Sequence, residues 1–244
     1  MPWSPEEIAS RVAREFLPGQ VVSLCSGIPS LVVAAVDESM QVVLHSESGV
    51  LGVGRKPSRG REIRNVVDAE GRSVGMLPGG AFMDVARSSA MSRGGHVDVC
   101  VTGALEVDVQ GSFASWTVPG KFVRGPGAAM DLAIGAERTI AAMNHVGPGG
   151  ELKLVSQCSL PLTAARCVDT VVTDLGVFEI KDGSFRCIEL APGTAWEDVE
   201  AVTEGRLVRS EQSRESEAPS PSSAPSDYDD EEGELVAESD WRGG

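Results

Sequence analysis

The sequence predicts an α/β fold with a central, mixed and mostly parallel sheet flanked by helices. Short β-branched runs alternate with helical patterns along most of the chain, which is typical of a parallel sheet. A strong hairpin signal, Asp182-Gly183 between two apolar runs, adds an antiparallel portion. With 244 residues, of which 28 are glycine and 14 are proline, the chain is long enough for one good core or two small ones and has many turns.

Composition divides the chain after residue 209. Residues 1–209 carry the alternating patterns and form the predicted domain. Residues 210–244 are rich in serine, proline and acidic residues, so they bury too little apolar surface to offset the entropy of ordering, and we predict a disordered tail. From Glu211 onward, eleven acidic residues and two arginines contribute −9 of the net charge of −15. The apolar residues near the end are either a weak docking motif or part of a tail without function.

Charge and hydropathy disfavour several classes of protein. The remaining charge of −6 comes with no basic stripe, so we expect no nucleic-acid partner. No apolar run approaches the roughly 18 to 20 residues that span a bilayer, and the acidic, amphipathic N-terminus is unlike a signal peptide. The five cysteines lie far apart without a C-x-x-C pair, which indicates reduced thiols in a cytoplasmic protein rather than disulfides or a zinc site.

The first elements follow from short local signals. Residues 4–7, Ser-Pro-Glu-Glu, form a capping box that predicts a helix start, and Ile8, Val12 and Phe16 give that helix one buried face. A strand over 21–24 then leads through a turn containing Gly27 into a short apolar helix over 31–36. That turn is either an anion-binding position at a helix N-terminus or a plain connection.

The stretch over 41–54, QVVLHSESGVLGVG, is the centre of the functional prediction. Its apolar start predicts a buried strand, and its glycines predict a tight loop. Glu47 is then the last side chain that the strand delivers into the loop, where open α/β sheets bind ligands. From position alone, Glu47 is a nucleophile, a base, a metal ligand or an acceptor that anchors the loop.

Residues 55–75 are polar and basic, which predicts a surface excursion. It is either a solvated loop or a region that attracts a polyanionic ligand such as a nucleotide-bearing cofactor. The later patterns predict helices over 84–92 and 194–202, strands over 96–101, 139–143 and 168–173, a helical turn over 132–135, and a hairpin of 177–180 with 184–190.

The motifs in the sequence leave few alternatives for the chemistry. His45, His96 and His145 show no metal-ligand spacing, so we predict structural histidines and no metal. No G-x-S-x-G elbow, P-loop or dinucleotide fingerprint is present. A carboxylate with glycine loops fits a different chemistry, in which ionised Glu47 attacks a carbonyl carbon and backbone N–H groups stabilise the oxyanion.

Residues 46–52, SESGVLG, resemble the S-E-N-G-x-L-G signature of coenzyme A-transferase family I, in its B (beta) subunit. The resemblance covers about residues 4–205. Its other motifs follow in order: GIP at 27–29, LPG at 77–79, RGGHVD at 93–98, GA at 103–104, Trp116 with PGK at 119–121, GxGxAMD at 125–131, CSLPLT at 158–163, CVD at 167–169 and TDL at 173–175.

The resemblance implies a single CoA-transferase-like domain and a ping-pong transfer of CoA between two carboxylic acids. Glu47 would be the nucleophile that forms a covalent glutamyl-CoA thioester, with the acyl-CoA as substrate and no cofactor. The implied oxyanion or substrate-binding residues are Gly125, Gly127, Ala128 and Ala129, with Ala128 as the N–H donor. Gly27, Ser48 and Gly49 are further candidates for substrate binding. The implied partner is an A (alpha) subunit, usually in a heterotetramer with the active site between the two kinds of chain.

Three positions depart from the family pattern. Ser48 replaces an asparagine, Ala128 a glycine, and Gly71, beside Arg72, a lysine. The leading prediction is the B subunit of a 3-oxoacid CoA-transferase that uses succinyl-CoA and acetoacetate or a similar acid. The alternatives are a 3-oxoadipate CoA-transferase subunit and a weakened paralogue with a structural role.

Overall fold

The computed structural model of the chain describes residues 1–123, 125 and 127–215, with the backbone alone for 211–215. Most of the predicted tail, residues 216–244, lies outside the described residues. In the part that is described, no helix is both long and apolar enough to cross a membrane.

The helices are short. The first three begin within one residue of the predicted position, whereas the helical turn predicted over 132–135 begins already at Ala129, and the helix predicted from Thr194 begins at Trp196 with Ala195 as its N-cap. Ser4 caps the first helix: its side chain accepts a hydrogen bond from the Glu7 N–H, and the Glu7 carboxylate accepts one from the Ser4 N–H. Two 3₁₀ turns, Ile28–Leu31 and Glu38–Met40, flank the second. The α-helices of the described residues are α1 (Pro5–Ala13), α2 (Val32–Ala35), α3 (Val85–Arg93), α4 (Ala129–Gly135) and α5 (Trp196–Ala201).

Fifteen strands lie within the described residues. They are β1 (Val21–Leu24), β2 (Val43–Ser46), β3 (Val50–Gly54), β4 (Gly75–Phe82), β5 (Val99–Thr102), β6 (Glu106–Asp108), β7 (Phe113–Ala114), β8 (Thr117–Val118), β9 (Phe122–Val123), β10 (Arg138–Ala142), β11 (Leu154–Val155), β12 (Thr170–Val172), β13 (Gly176–Lys181), β14 (Ser184–Leu190) and β15 (Leu207–Glu215).

Ten of these strands form one sheet, which confirms the predicted α/β class. The order is β15-β14-β13-β12-β10-β5-β1-β2-β3-β4. The central run from β12 to β2 is parallel, and β3 and β4 on one side and β13 on the other pair antiparallel. The hairpin predicted at Asp182-Gly183 joins β13 to β14, and both turn residues have positive φ, 51° and 66°.

Both faces of the central sheet are covered. In β10, Ile140 and Ala142 point to one hydrophobic core and Ala141 points to the other, as the alternation of a strand requires. The first core includes α1 and α2, and the second includes α4, α5 and the small sheet β11-β6-β7. The first core also takes in β1, β2 and β5, and Cys100 of β5 and Cys25 directly after β1 belong to the second, so the ends of these neighbouring strands are fixed by packing.

Two expectations about boundaries are corrected. The predicted loop after Glu47 is only a short turn, because Gly52 and Gly54 belong to β3, which pairs back onto β2. The predicted boundary after residue 209 falls inside β15. Residues 210–215 extend that strand alongside β14, because backbone hydrogen bonds to an edge strand order a polar segment that buries little apolar surface.

Candidate active site

A cavity of about 360 Å³ lies at the carboxyl ends of β5, β1 and β2, which are neighbours in the sheet. It is lined by residues 25–27 after β1, Glu47 after β2, and residues 102–105 at the end of β5. Parallel neighbours end at the same edge of a sheet, so three separate stretches of sequence meet here. Glu47 lies at a strand end, as predicted.

Backbone groups hold Glu47 in place. Its N–H donates to the Leu24 carbonyl at 3.2 Å, which continues the pairing of β2 with β1. Its Oε1 accepts a hydrogen bond from the Ser26 N–H at 3.0 Å. The Cys25 thiol lies close enough to the carboxyl group to favour its ionised form. The end of β1 thus orients the carboxyl group of Glu47.

The electrostatic environment makes the Glu47 carboxyl group less acidic than usual. Burial raises its pKa, the hydrogen bond from Ser26 and the Cys25 thiol oppose that change, and the negative charge of Glu70 raises the pKa further. The Cys25 thiol is fully buried, and its contact with Cys100 together with burial raises its pKa well above the usual value. Cys25 therefore stays protonated and adds no negative charge beside Glu47.

Glu70 is a second carboxylate in the cavity, and no pattern in the sequence indicates it. Its Oε1 accepts a hydrogen bond from the Gly27 N–H at 2.7 Å, and it lines the cavity with Glu47. It belongs to the polar stretch at 55–75, for which the sequence predicts a surface excursion. Only the folding of that stretch back onto the turn after β1 brings Glu70 here, so no local pattern could have found it.

Arg72 does not compensate for the lysine replaced by Gly71 in this cavity. Its guanidinium forms an ion pair with Asp68 at 2.8 Å and a hydrogen bond with Ser30, and it lines a different depression of the surface. Among the described residues that line the Glu47 cavity, none is a lysine, an arginine or a histidine.

Ser48 and Gly49 shape the turn that follows Glu47. The Ser48 hydroxyl bonds with the Ser46 hydroxyl at 2.8 Å and donates to the Val67 carbonyl at 3.1 Å, so it ties the turn to the 55–75 stretch. Gly49 has φ of +96°, and a Cβ there would lie 2.2 Å from the Met83 carbonyl oxygen. Neither residue is among those that line the cavity, whereas Gly27 is.

Residues of the glycine loop also line the cavity. Gly125, Gly127 and Ala129 line it, and Ala128 lies just before α4, half-buried. Ala128 has φ of −84°, so alanine is unstrained at the position where the family pattern has glycine. Among the described residues, no acceptor is found for the Ala128 N–H.

Behind Glu47, His45 is completely buried between β1 and α3. Its Nδ1 bonds with the Ser23 hydroxyl at 2.9 Å, and its Nε2 with the Ser88 hydroxyl at 3.1 Å. Burial lowers its pKa to about 4, so the ring is neutral near pH 7. His145 is buried in the same way between Thr173 and Thr203. These contacts agree with the structural role predicted for both, and no group of three or more potential metal ligands occurs within the described residues.

Comparison with known sequences identifies the fold family. The profile of a family described as coenzyme A transferase matches residues 5–201. The chain belongs to the coenzyme A transferase family. The match spans nearly the whole described domain, as the motif resemblance implied.

Individual CoA-transferases align over most of the chain. The beta subunit of the acetate CoA-transferase of Escherichia coli K12 is 42% identical over 202 residues, covering 83% of this chain and 92% of the relative. The B subunit of the succinyl-CoA:3-ketoacid coenzyme A transferase of Helicobacter pylori 26695 is 39% identical, covering 83% and 97%. The B subunit of the 3-oxoadipate CoA-transferase of Acinetobacter baylyi is 35% identical, covering 83% and 94%. The protein is thus a CoA-transferase of the B-subunit type.

A solved structure shows the same fold. The acyl-CoA transferase of Escherichia coli O157:H7 superimposes with a TM-score of 0.68 at 20% identity, and the match covers 86% of this chain. The present chain spans only 42% of that longer chain. The single α/β domain is therefore one part of a larger CoA-transferase architecture in that structure.

Proposed function

We propose that Glu47 is the nucleophile of a ping-pong transfer of CoA between two carboxylic acids. The observation that supports this most directly is the position of its carboxyl group, which Ser26 holds in a cavity at three converging strand ends. The less acidic carboxyl group is correspondingly more basic when ionised, which favours attack on a carbonyl carbon.

Four substitution steps transfer the CoA. A Glu47 oxygen attacks the thioester carbonyl of the donor, the carbon–sulfur bond breaks, and a mixed anhydride and CoA thiolate result. The thiolate attacks the Glu47 carbonyl of the anhydride, which releases the first acid and leaves a glutamyl-CoA thioester. The carboxylate of the second acid attacks this thioester, and the returning thiolate then takes the new acyl group. Every bond formed matches a bond broken, and neither an oxidant nor a cofactor is needed.

The glycine loop is the proposed oxyanion site. Each attack converts a carbonyl oxygen into an oxyanion, which backbone N–H groups stabilise best when they are already oriented. Ala128 is the proposed donor, and Gly125, Gly127 and Ala129 form the wall around it. The relaxed backbone of Ala128 supports an active enzyme rather than a weakened paralogue, because the replacement of glycine introduces no strain.

The substrates we propose are an acyl-CoA donor and a 3-oxo acid such as acetoacetate. Succinyl-CoA is the donor predicted from the resemblance, and the name of the Helicobacter pylori relative agrees with it. A 3-oxoadipate CoA-transferase subunit is the alternative with the same chemistry, and the name of the Acinetobacter baylyi relative supports it. The name of the Escherichia coli relative points instead to acetate.

We further propose that the chain works in the cytoplasm with an A subunit, as a heterotetramer. The relatives are named as beta or B subunits, which supports the presence of a partner chain. The five cysteines are all unpaired in the structure, in keeping with a reducing compartment.

A trapping experiment tests the role of Glu47. The chain is co-expressed with the A subunit of its own organism, incubated with an acyl-CoA and treated with hydroxylamine, and the peptide with Glu47 is weighed by mass spectrometry. We expect a hydroxamate at Glu47, and Glu47→Gln should lower CoA transfer by at least about a thousandfold. An unmodified Glu47 together with full activity of Glu47→Gln would refute the proposal.

A further inference from the structure

Two carboxylates are held by neighbouring N–H groups of the main chain. The Ser26 N–H binds Glu47 at 3.0 Å, and the Gly27 N–H binds Glu70 at 2.7 Å. Because the Cα atoms of consecutive residues are about 3.8 Å apart, the two carboxylates approach the same part of the cavity. The effect of Glu70 on the pKa of Glu47 reflects this proximity.

The negative charge of Glu70 is not balanced in the cavity by the described residues. Glu47 and Glu70 are the charged groups among the described residues that line it. The nearest basic residue in sequence, Arg72, is engaged by Asp68 and Ser30 and lines another depression. The hydrogen bond from the neutral Gly27 N–H positions Glu70 in the cavity wall without adding a positive charge.

We infer that Glu70 is a specificity residue that restricts the enzyme to acyl groups without a second carboxylate. The inference rests on the proposed role of Glu47, because the reacting carbonyl of the acyl group has to lie against that side chain. Any further carboxylate on a short acyl chain then lies within a few ångströms of the cavity wall that carries Glu70. Glu70 is an exposed residue, so water and salt weaken the repulsion, but like charges a few ångströms apart still repel each other. The donor favoured by this arrangement is an uncharged acyl-CoA rather than succinyl-CoA.

Two donors of equal chain length isolate the effect of charge. Butyryl-CoA and succinyl-CoA both carry four-carbon acyl groups, and only the second has a terminal carboxylate. The co-expressed complex with the A subunit is assayed with each donor and the same acceptor, acetoacetate. The measured quantity is the ratio of the two kcat/KM values. Any general effect of Glu70 on the nucleophile Glu47 changes both values alike and cancels in this ratio.

We expect the wild-type complex to prefer butyryl-CoA by at least about tenfold and Glu70→Gln to reduce that preference by at least about fivefold. The amide oxygen of glutamine keeps the hydrogen bond from Gly27 and removes only the charge. Glu62→Gln is the matched control, because Glu62 lies in the same stretch and also accepts a backbone N–H, that of Gly60, but does not line the cavity. High salt should bring the ratio of the two kcat/KM values closer to one in the wild type, and it should change the ratio of Glu70→Gln less.

Two results would overturn the inference: a wild-type preference for succinyl-CoA, or equal ratios in Glu70→Gln and Glu62→Gln. Both results can be obtained only if the complex transfers CoA measurably through Glu47. Loss of the proposed function itself has a different signature, which is the absence of transfer with either donor and of any adduct at Glu47.

Discussion

The two carboxylates of the cavity are held by main-chain N–H groups of residues 26 and 27 rather than by basic side chains. An arginine or lysine in contact with Glu47 would lower the pKa of its carboxyl group and make the ionised form a weaker base. Neutral N–H donors fix the geometry with a smaller loss of basicity. This choice of partner suits the nucleophilic role proposed for Glu47.

At the scale of a single residue, the buried His45 leads to a prediction about how stability depends on pH. Its pKa is about 4 in the folded protein and near 6.5 when the ring is free. Above pH 6.5 the ring is neutral in both states. As the pH falls below 6.5, the unfolded chain binds a proton that the folded chain takes up only near pH 4, so stability is lost across that window. The expected loss from His45 between pH 7 and pH 4.5 is roughly 2 to 3 kcal/mol in the free energy of unfolding.

Urea unfolding at several pH values measures this effect. His45→Gln should be less stable than the wild type at pH 7, because it disturbs the bonds to Ser23 and Ser88, but it should lose less stability on acidification. His96→Gln, at an exposed histidine, is the matched control. If His45→Gln and the wild type lose the same stability between pH 7 and pH 4.5, the neutral buried ring is not a source of acid sensitivity.

At the scale of an element, the turn between β2 and β3 leads to a prediction about stability. Gly49→Ala would place a methyl group 2.2 Å from the Met83 carbonyl oxygen at a φ of +96°, so the turn has to move. We expect a loss of at least about 3 kcal/mol in the free energy of unfolding. CoA transfer should also fall, because the turn carries Glu47.

Gly60→Ala is the control for that prediction. Gly60 has a similar φ of +84°, but a Cβ there would meet nothing within 4 Å, so the substitution tests the dihedral strain alone. Its cost should be about 1 to 2 kcal/mol, with CoA transfer unchanged. Equal losses from the two substitutions would show that the contact with Met83 does not constrain the turn. Urea unfolding and the transfer assay measure both variants.

The elements that the sequence predicts well are those with a complete local signal. The capping box at residues 4–7 and the Asp182-Gly183 turn each specify their own geometry. The end of β2 places Glu47 at the carboxyl ends of the parallel strands. Glu70 and β15 depend on partners far away in sequence. Glu70 needs the Gly27 N–H, and the polar strand β15 needs the edge of β14, so neither has a signature of its own.

At the scale of the molecule, the end of β15 divides the C-terminal region into two parts with different expected roles. Deletion of residues 216–244, which carry mostly acidic and small polar residues, should leave CoA transfer and the unfolding midpoint unchanged. Deletion of 207–244 removes the strand that pairs with β14 and should lower the midpoint clearly. Both truncations are compared with the full chain in thermal unfolding and transfer assays. A clear loss of transfer in the shorter deletion would assign a function to the acidic segment.

On the other side of the sheet the outermost strand is β4. The shape of its outer edge affects whether copies of the chain aggregate in solution. Among the described strands it pairs only with β3, so its outer edge is the place where a further chain would add and begin a growing aggregate. Pro78 has no N–H to offer there, and Gly79 and Gly80 give the edge an irregular shape, with a shifted register against β3. The sheet can therefore be ten strands wide without presenting a regular template for polymerisation on this side.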